Sequence, residues 1–146
     1  MNDLDLLQQT IEQFWDAIPP VWGHVRSQAR AYAVQDFGVS LIQFEILRHI
    51  RRGAHSVAEL AERQQISRPA VSQAVDSLVE EGLVSRSQDP QDRRFVDLEL
   101  TERGRALINA IFTKNRQWMM EKMKELRPDE METIIRALGI LKETLG

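Results

Sequence analysis

The amino-acid sequence predicts an α+β fold that is mainly helical, with a β-hairpin between two helical ends. Apolar residues recur every three or four positions along most of the chain, which is the period of a helix with one buried face. Residues 96–100 instead alternate apolar and acidic side chains, the period of a half-buried strand. At 146 residues the chain is long enough for one domain, or for two small subdomains that share a core.

The first predicted helix begins near the N-terminus. Its apolar face consists of Leu4, Leu7, Ile11, Phe14, Trp15 and Ile18. Pro19 and Pro20 should break or kink this helix, because both lack an amide donor and Pro20 disfavours the helical conformation of the residue before it. The apolar period resumes after the two prolines, and a turn is predicted at residues 37–38.

Two shorter helices follow, each preceded by a capping pair. Ser40 and Gln43 have the spacing of a capping box, and the helix that they open should end at Gly53. Ser56 and Glu59 have the same spacing before a second, shorter helix. The middle of the chain is therefore predicted to be a compact helical region.

A third short helix should begin after Ser67, with Pro69 in its first turn and Gly82 just past its end. Its apolar residues share one face, which should be core: Val71, Ala74, Val75, Leu78 and Val79. Its opposite face carries small or hydrogen-bonding residues: Pro69, Ser72, Gln73 and Asp76. The helix is thus predicted to expose a polar surface without long aliphatic side chains.

A hairpin should follow this helix directly. Residues 83–86 predict one strand, residues 89–92 (D-P-Q-D) a turn, and residues 96–100 a second strand. Thr101 should cap a long helix, and Pro128 should open the last one. The predicted order is four helices, a hairpin and two helices.

The polar face of the third short helix has the chemistry of a helix that enters the major groove of DNA. Small residues permit close approach, and the amide of Gln73 could pair with adenine through two hydrogen bonds. Ser67, Arg68 and Ser72 could contact phosphates or base edges near the helix N-terminus. Asp76 would instead orient an arginine or accept from a cytosine amine. An exposed polar face without a ligand is the structural alternative.

Residues 67–104 read SRPAVSQAVDSLVEEGLVSRSQDPQDRRFVDLELTERG. In order, they contain the polar-faced helix, an E-E-G-L-V turn, a D-P-Q-D-R-R wing and an L-T-x-x-G helix start. This stretch resembles the MarR (multiple antibiotic resistance regulator) family of winged-helix repressors, and the flanking helices match the layout of that family. The resemblance implies a winged helix-turn-helix over residues 37–100, flanked by a helical dimerisation region over residues 1–36 and 101–146.

The resemblance also implies how the wing would act. In the family an arginine of the wing reaches the minor groove and an aspartate of the wing holds it in place. The matching positions are Arg93 or Arg94 for the arginine, and Asp89 or Asp92 for the aspartate. An arginine at a hairpin tip can enter a narrow, electronegative minor groove, whereas a solvated turn with weak ion pairs is the alternative.

The expected partners are a pseudo-palindromic duplex operator and a second copy of the chain. The family often binds aromatic acids between its subdomains, so a small aromatic or anionic effector is a further expectation. Candidate effector-binding residues are Trp15, Trp22, His24 and Arg30, because an anion needs a donor or a positive charge. Core packing or dimer contacts are the alternative for the aromatic residues.

The composition of the chain restricts which other kinds of site and function are possible. The net charge is −3, and residues 51–105 hold nine Arg, no Lys and ten Asp or Glu, so DNA affinity would depend on arrangement and not on total charge. The absence of cysteine excludes disulfides and thiol sensing, and no metal site, cofactor or catalytic motif is predicted. Neither a signal peptide nor a membrane span is recognisable, which favours a cytoplasmic protein.

The predicted function is that of a non-enzymatic DNA-binding regulator, and the two alternatives are a protein–protein adaptor and a small enzyme. A winged-helix protein–protein adaptor would agree with the negative charge, but its binding face should carry large apolar anchors. A small enzyme would need titratable groups that converge in a pocket, and the sequence offers only scattered histidines and carboxylates.

Overall fold

The computed structural model describes residues 1–88, 90–92, 94 and 96–146. Within these residues the chain forms helices and one two-stranded antiparallel sheet. The elements in order are α1 (Asp3–Gln35), α2 (Leu41–Arg51), α3 (Val57–Gln64), α4 (Arg68–Glu80), β1 (Val84–Gln88), β2 (Val96–Leu100), α5 (Glu102–Met123) and α6 (Pro128–Leu145). The predicted fold class, mainly helical with a hairpin between helical ends, is confirmed.

The chain divides into two compact units, residues 1–115 and residues 116–146. In the first unit, one hydrophobic core joins the C-terminal part of α1 to α2, α3, α4, both strands and α5. Its largest fully buried side chains include Phe44, Ile46, Leu47, Leu60, Leu78, Leu98, Ile108 and Ile111. In the second unit, α6 has no buried residue. Among the described residues, no helix is long and apolar enough to cross a lipid bilayer.

The prediction of a helix break at Pro19 and Pro20 is wrong, because α1 continues through both residues. The two prolines remove only the backbone hydrogen bonds that their own amides would donate to the carbonyl groups of Trp15 and Asp16. All four residues are exposed, so water can reach those carbonyl oxygens. The remaining hydrogen bonds of a 33-residue helix hold the two halves together.

The helices of the first unit begin where their capping residues predict. Ser40 and Gln43 form a complete capping box at α2, whereas Ser56 accepts a hydrogen bond from the amide of Glu59 without a reciprocal one. The turn between α3 and α4 is formed by Gln65, whose φ of 55° is left-handed. This conformation is uncommon for a residue with a Cβ atom, and it lets α4 leave α3 after a very short connection.

The hairpin pairs Val84 with Leu100 and Gln88 with Val96, so β1 runs two residues beyond the predicted strand. Leu98 is buried and its neighbours Asp97 and Glu99 are exposed, which confirms the predicted alternation. The amide of Leu98 donates to the carbonyl oxygen of His55 at 2.8 Å. The hairpin is therefore attached to the segment that leads into α3.

The start of α5 is fixed against the base of the hairpin. The Thr101 hydroxyl donates to the carbonyl oxygen of Gly82 at 2.6 Å and accepts from the amide of Gly104 at 3.0 Å. Gly104 is buried, and a Cβ atom on it would overlap the carbonyl oxygen of Leu83. Only glycine fits this position with the backbone where it is, which explains the final residue of the L-T-x-x-G pattern.

Candidate nucleic-acid interface

The polar face of α4 is exposed as the sequence predicts. Val71, Ala74, Val75 and Leu78 are buried, and Val79 packs partly against the core. On the opposite side Pro69, Gln73 and Asp76 are exposed, and Ser72 is half-buried. The Ser67 hydroxyl accepts a hydrogen bond from the amide of Ala70 at 3.3 Å, and Arg68 is exposed beside it. The N-terminal half of α4 therefore presents only short or polar side chains.

Asp76 links α4 to the hairpin. Its carboxylate accepts a hydrogen bond from the guanidinium of Arg86 on β1, and both side chains remain in contact with solvent. The prediction that Asp76 orients an arginine is confirmed, and the arginine is Arg86. The pair places a guanidinium beside the exposed face of α4.

A second arginine is held in the wing. Arg94 donates from Nε to Asp92 Oδ1 and from Nη2 to Asp92 Oδ2, both at 3.0 Å, and its backbone amide also donates to Oδ1. These hydrogen bonds lower the pKa of Asp92 and raise the pKa of Arg94. The Arg94 side chain is 89% exposed, so the carboxylate fixes a guanidinium that still faces solvent. The other predicted wing residues, Asp89 and Arg93, lie outside the described residues.

The four candidate effector-binding residues do not form one cluster. Trp15 and Trp22 are exposed on α1, and Trp15 packs edge-to-face against Phe14 with ring centroids 5.8 Å apart. His24 is also exposed. Trp22 and Arg30 lie near a group of charged side chains, which is described next.

A hub of ion pairs, consisting of Glu45 with Arg26, Arg30 and Arg48, joins α1 to α2. Arg30 Nε lies 2.9 Å from Glu45 Oε1, Arg48 Nη2 lies 2.8 Å from Oε2, and Arg26 Nη2 lies 3.6 Å from Oε2. Burial alone would raise the pKa of Glu45, but hydrogen bonds from Arg48 and Arg30 outweigh it and the net shift is downward. Of these four residues, the sequence predicted a functional role only for Arg30. The spacing of two arginines four residues apart on α1 was the available signal.

Similarity to known proteins agrees with this geometry. The family model described as MarR family matches residues 37–94, which run from the end of α1 to the wing. The HTH-type transcriptional repressor NicR of Pseudomonas putida is 37% identical over 98 residues, 66% of this chain and 62% of that protein. The chain resembles the MarR family of transcriptional regulators, and the predicted resemblance is confirmed.

Further matches extend the comparison along the chain. The HTH-type transcriptional repressor MdtR of Bacillus subtilis is 30% identical over 95 residues, 64% of this chain and 61% of that protein. The crystal structure of the regulator Tm0710 from Thermotoga maritima has a TM-score of 0.82 at 23% identity, covering 92% of this chain and 94% of that one. Apo MarR from E. coli has a TM-score of 0.64 at 25% identity, covering 88% and 96%. The fold outside residues 37–94 thus also follows the family.

Proposed function

We propose that this MarR-family regulator is a sequence-specific repressor that binds duplex DNA as a homodimer. The observation that carries the proposal is the wing arginine, Arg94, held by two parallel hydrogen bonds to Asp92 yet almost fully exposed. An exposed charge that contributes little to folding is well placed to bind an external anion. Because Asp92 already fixes the direction of the Arg94 side chain, less conformational entropy is lost when the guanidinium binds an anion.

The outer face of α4 would read the bases. Gln73 is the best candidate for a hydrogen-bonding pair with adenine, with Ser67, Arg68, Pro69 and Ser72 close to the backbone at the helix N-terminus. Arg86 would add a phosphate contact beside them. Because α4, which the structure describes in full, exposes no large apolar side chain, its outer face does not favour the protein–protein adaptor as an alternative.

The homodimer would form through residues 1–36 and 101–146. The N-terminal half of α1 exposes a stripe of large apolar side chains, among them Leu4, Leu7, Ile11 and Trp15. In the second unit, α6 exposes Ile135, Leu138, Ile140 and Leu145. Exposed apolar surface of this extent is typical of association surfaces. Two copies would place two α4 helices on half-sites about 10 bp apart or a multiple of that.

Release of the operator by a small aromatic or anionic effector completes the proposal. Trp15, Trp22, His24 and Arg30 were the predicted residues, and of these Trp22 and Arg30 have a charged environment that could hold an anion. An effector would act by binding one arrangement of the dimer more tightly than the other, which lowers the affinity for DNA.

Gel-shift selection from random duplexes at a stated salt concentration tests DNA binding directly. The wild-type protein should enrich a pseudo-palindromic sequence. Replacing both Arg93 and Arg94 by alanine should weaken binding and flatten its dependence on salt without changing the fold. Replacing Arg51 and Arg52, two exposed arginines at the end of α2, by alanine removes the same charge outside the proposed DNA-binding and dimer surfaces and is the matched control. If selection enriches no sequence, or if the wing variant binds with unchanged affinity and salt dependence, the proposal is wrong.

Sedimentation at micromolar concentration tests the dimer. The protein should sediment at about twice its chain mass of 16.9 kDa. A folded monomer that binds a full operator tightly would contradict the dimeric arrangement, while leaving the assignment of α4 and the wing to be judged by the gel shift.

A further inference from the structure

A cleft lies where the end of α2, strand β2 and the first half of α5 meet, all within the first unit. Its volume is about 470 Å³, and it is open to solvent. Small-molecule sites in proteins span roughly 300–1,000 Å³, so the cleft is large enough for a ligand. It shares no residue with the outer face of α4, the wing turn, the hub or the four candidate effector-binding residues.

The floor of the cleft is aliphatic. Ile50 from α2 and Leu98 and Leu100 from β2 line it, and all three belong to the hydrophobic core. Because core side chains are closely packed, this floor is a fixed surface on which an apolar group of a ligand could rest. Among the described residues, no Phe, Tyr or Trp side chain lines the cleft. The floor therefore favours an aliphatic group over an aromatic ring.

The rim of the cleft is polar and exposed, and it consists of Arg51, His55, Glu99, Arg105 and Asn109. Within the part of the chain that the structure describes, none of these five side chains forms a hydrogen bond or an ion pair. The arginines of the hub, in contrast, all pair with one carboxylate. The donors and acceptors of the rim are thus available to a ligand.

Two of the rim residues are arginines from different helices. The guanidinium carbon of Arg51 lies 5.0 Å from the centroid of the Phe112 ring, and this contact holds the group while leaving its N–H donors unused. Arg105 and Asn109 are four residues apart on α5, so they are neighbours on one face of that helix. Guanidinium groups from α2 and from α5 therefore adjoin the same cleft.

The charges around the cleft have both signs, because Glu99 on β2 lines it together with the two arginines. A ligand with only a negative charge would be repelled by Glu99, and one with only a positive charge would be repelled by Arg51 and Arg105. A zwitterion provides a partner of opposite charge for all three groups. Charge complementarity therefore favours a molecule that carries both an ammonium group and a carboxylate.

We propose that this cleft binds a free α-amino acid with an aliphatic side chain. The carboxylate is held by Arg51 and Arg105, the ammonium group by Glu99, and the side chain lies on the aliphatic floor. This assignment does not rest on the proposed function, because no residue of the cleft contributes to the proposed DNA-binding surface.

Titration of the full-length protein with L-leucine, followed by amide NMR spectra in the absence of DNA, tests the site. Isocaproate is the matched probe without the ammonium group, isoamylamine lacks the carboxylate, and glycine lacks the aliphatic side chain. L-leucine should bind saturably and at least about tenfold more tightly than each of them, since a hydrogen bond to a charged group is worth roughly a factor of ten. No saturable change at millimolar L-leucine, or isocaproate that binds as tightly as L-leucine, overturns the proposal.

A variant of Glu99 identifies the group that holds the ammonium. Glu99→Gln should weaken L-leucine binding about tenfold but leave isocaproate binding unchanged or stronger, because the carboxylate that repels isocaproate is gone. A loss of structure would weaken both ligands, so these two responses together distinguish a direct contact. Asp97→Asn is the matched control, since Asp97 is exposed on the same strand and does not line the cleft. Unchanged L-leucine affinity in Glu99→Gln would contradict the assignment.

A variant of Arg105 tests the carboxylate side of the cleft. Arg105→Ala should weaken L-leucine and isocaproate binding, each about tenfold, whereas Arg103→Ala, which removes an exposed charge from the same helix outside the cleft, should change neither. If the alanine variant does not fold, Arg105→Lys replaces it, because lysine keeps the charge but loses the guanidinium fork and should still weaken binding.

The amide signals also locate the ligand in the wild-type protein without any substitution. The largest changes should occur at the end of α2, in β2 and in the first half of α5. Changes confined to other parts of the chain would place L-leucine elsewhere and overturn the assignment. The gel shift, carried out without L-leucine, judges the proposed function separately, so failure of either experiment leaves the other result standing.

Discussion

Gly104→Ala should destabilise the protein although it adds a single methyl group. The new Cβ atom would overlap the carbonyl oxygen of Leu83 and lie 3.0 Å from the carbonyl carbon. Both atoms are backbone, so the clash cannot be relieved by rotating a side chain. The start of α5 would have to move away from the start of β1.

The loss in the free energy of unfolding can be estimated from the contacts that this movement disturbs. Overpacking costs about 1–3 kcal/mol. The shift also weakens the hydrogen bonds from the Thr101 amide to Leu83 and from the Thr101 hydroxyl to Gly82, each worth about 1 kcal/mol. The higher helix propensity of alanine relative to glycine offsets about 1 kcal/mol of this loss. The net loss is about 2–4 kcal/mol, or roughly 5–15 °C in Tm for a chain of this size.

Thermal unfolding followed by circular dichroism, at one protein concentration, measures this loss. Gly23→Ala is the matched control, because Gly23 lies inside α1, outside its apolar stripe, with no atom within 4 Å of the position of a Cβ. That variant should gain about 1 kcal/mol from helix propensity alone. If Gly104→Ala unfolds at or above the wild-type temperature, the close approach of α5 to Leu83 is not present in solution.

Three further predictions concern single side chains. Ser67→Ala removes the cap of α4 and should lower the free energy of unfolding by about 1 kcal/mol in urea titrations, and an unchanged value would show that the cap is not formed. Arg94→Ala should leave that free energy unchanged, because the side chain is almost fully exposed, but should weaken operator binding at least about tenfold, which gel shifts can measure. The folded-state pKa of Glu45 is lowered, so its stabilising effect is present above about pH 4.3, the usual pKa of a free glutamate, and is lost as the pH falls through the lowered value. Glu45→Gln should therefore lose less stability than the wild type between about pH 5 and pH 3, and equal losses would contradict the hub.

Local signals in the sequence predicted most of the fold. Caps at Ser40, Ser67 and Thr101, together with the alternation of residues 96–100, placed the helix starts and the second strand because each depends on a few neighbouring residues. The break in α1 was predicted wrongly. The local effect of two prolines is real, but the hydrogen bonds on either side of them outweigh it in a long helix.

The candidate site was less predictable where it depends on contacts between distant residues. The outer face of α4 follows from helical periodicity, and Asp92 and Arg94 are only two residues apart. The partner of Asp76 is ten residues away on β1, and that of Arg30 is fifteen residues away on α2. The four-residue spacing of Arg26 and Arg30 shows that they share a helix face, but the sequence marks neither the partner of Arg30 nor that of Asp76, so both ion pairs could be identified only after the elements were placed in space.

We propose that α4 reads the base sequence through Gln73. The affinity of the wild-type protein and of Gln73→Ala for every single-base-pair variant of the selected operator, measured at one salt concentration, tests this role. The variant should lose discrimination at one position in each half-site, by about 1–3 kcal/mol, and keep it elsewhere. If its affinity falls uniformly across all sequences, or if its profile equals that of the wild type, Gln73 does not read a base and the assignment of α4 as the recognition helix is contradicted.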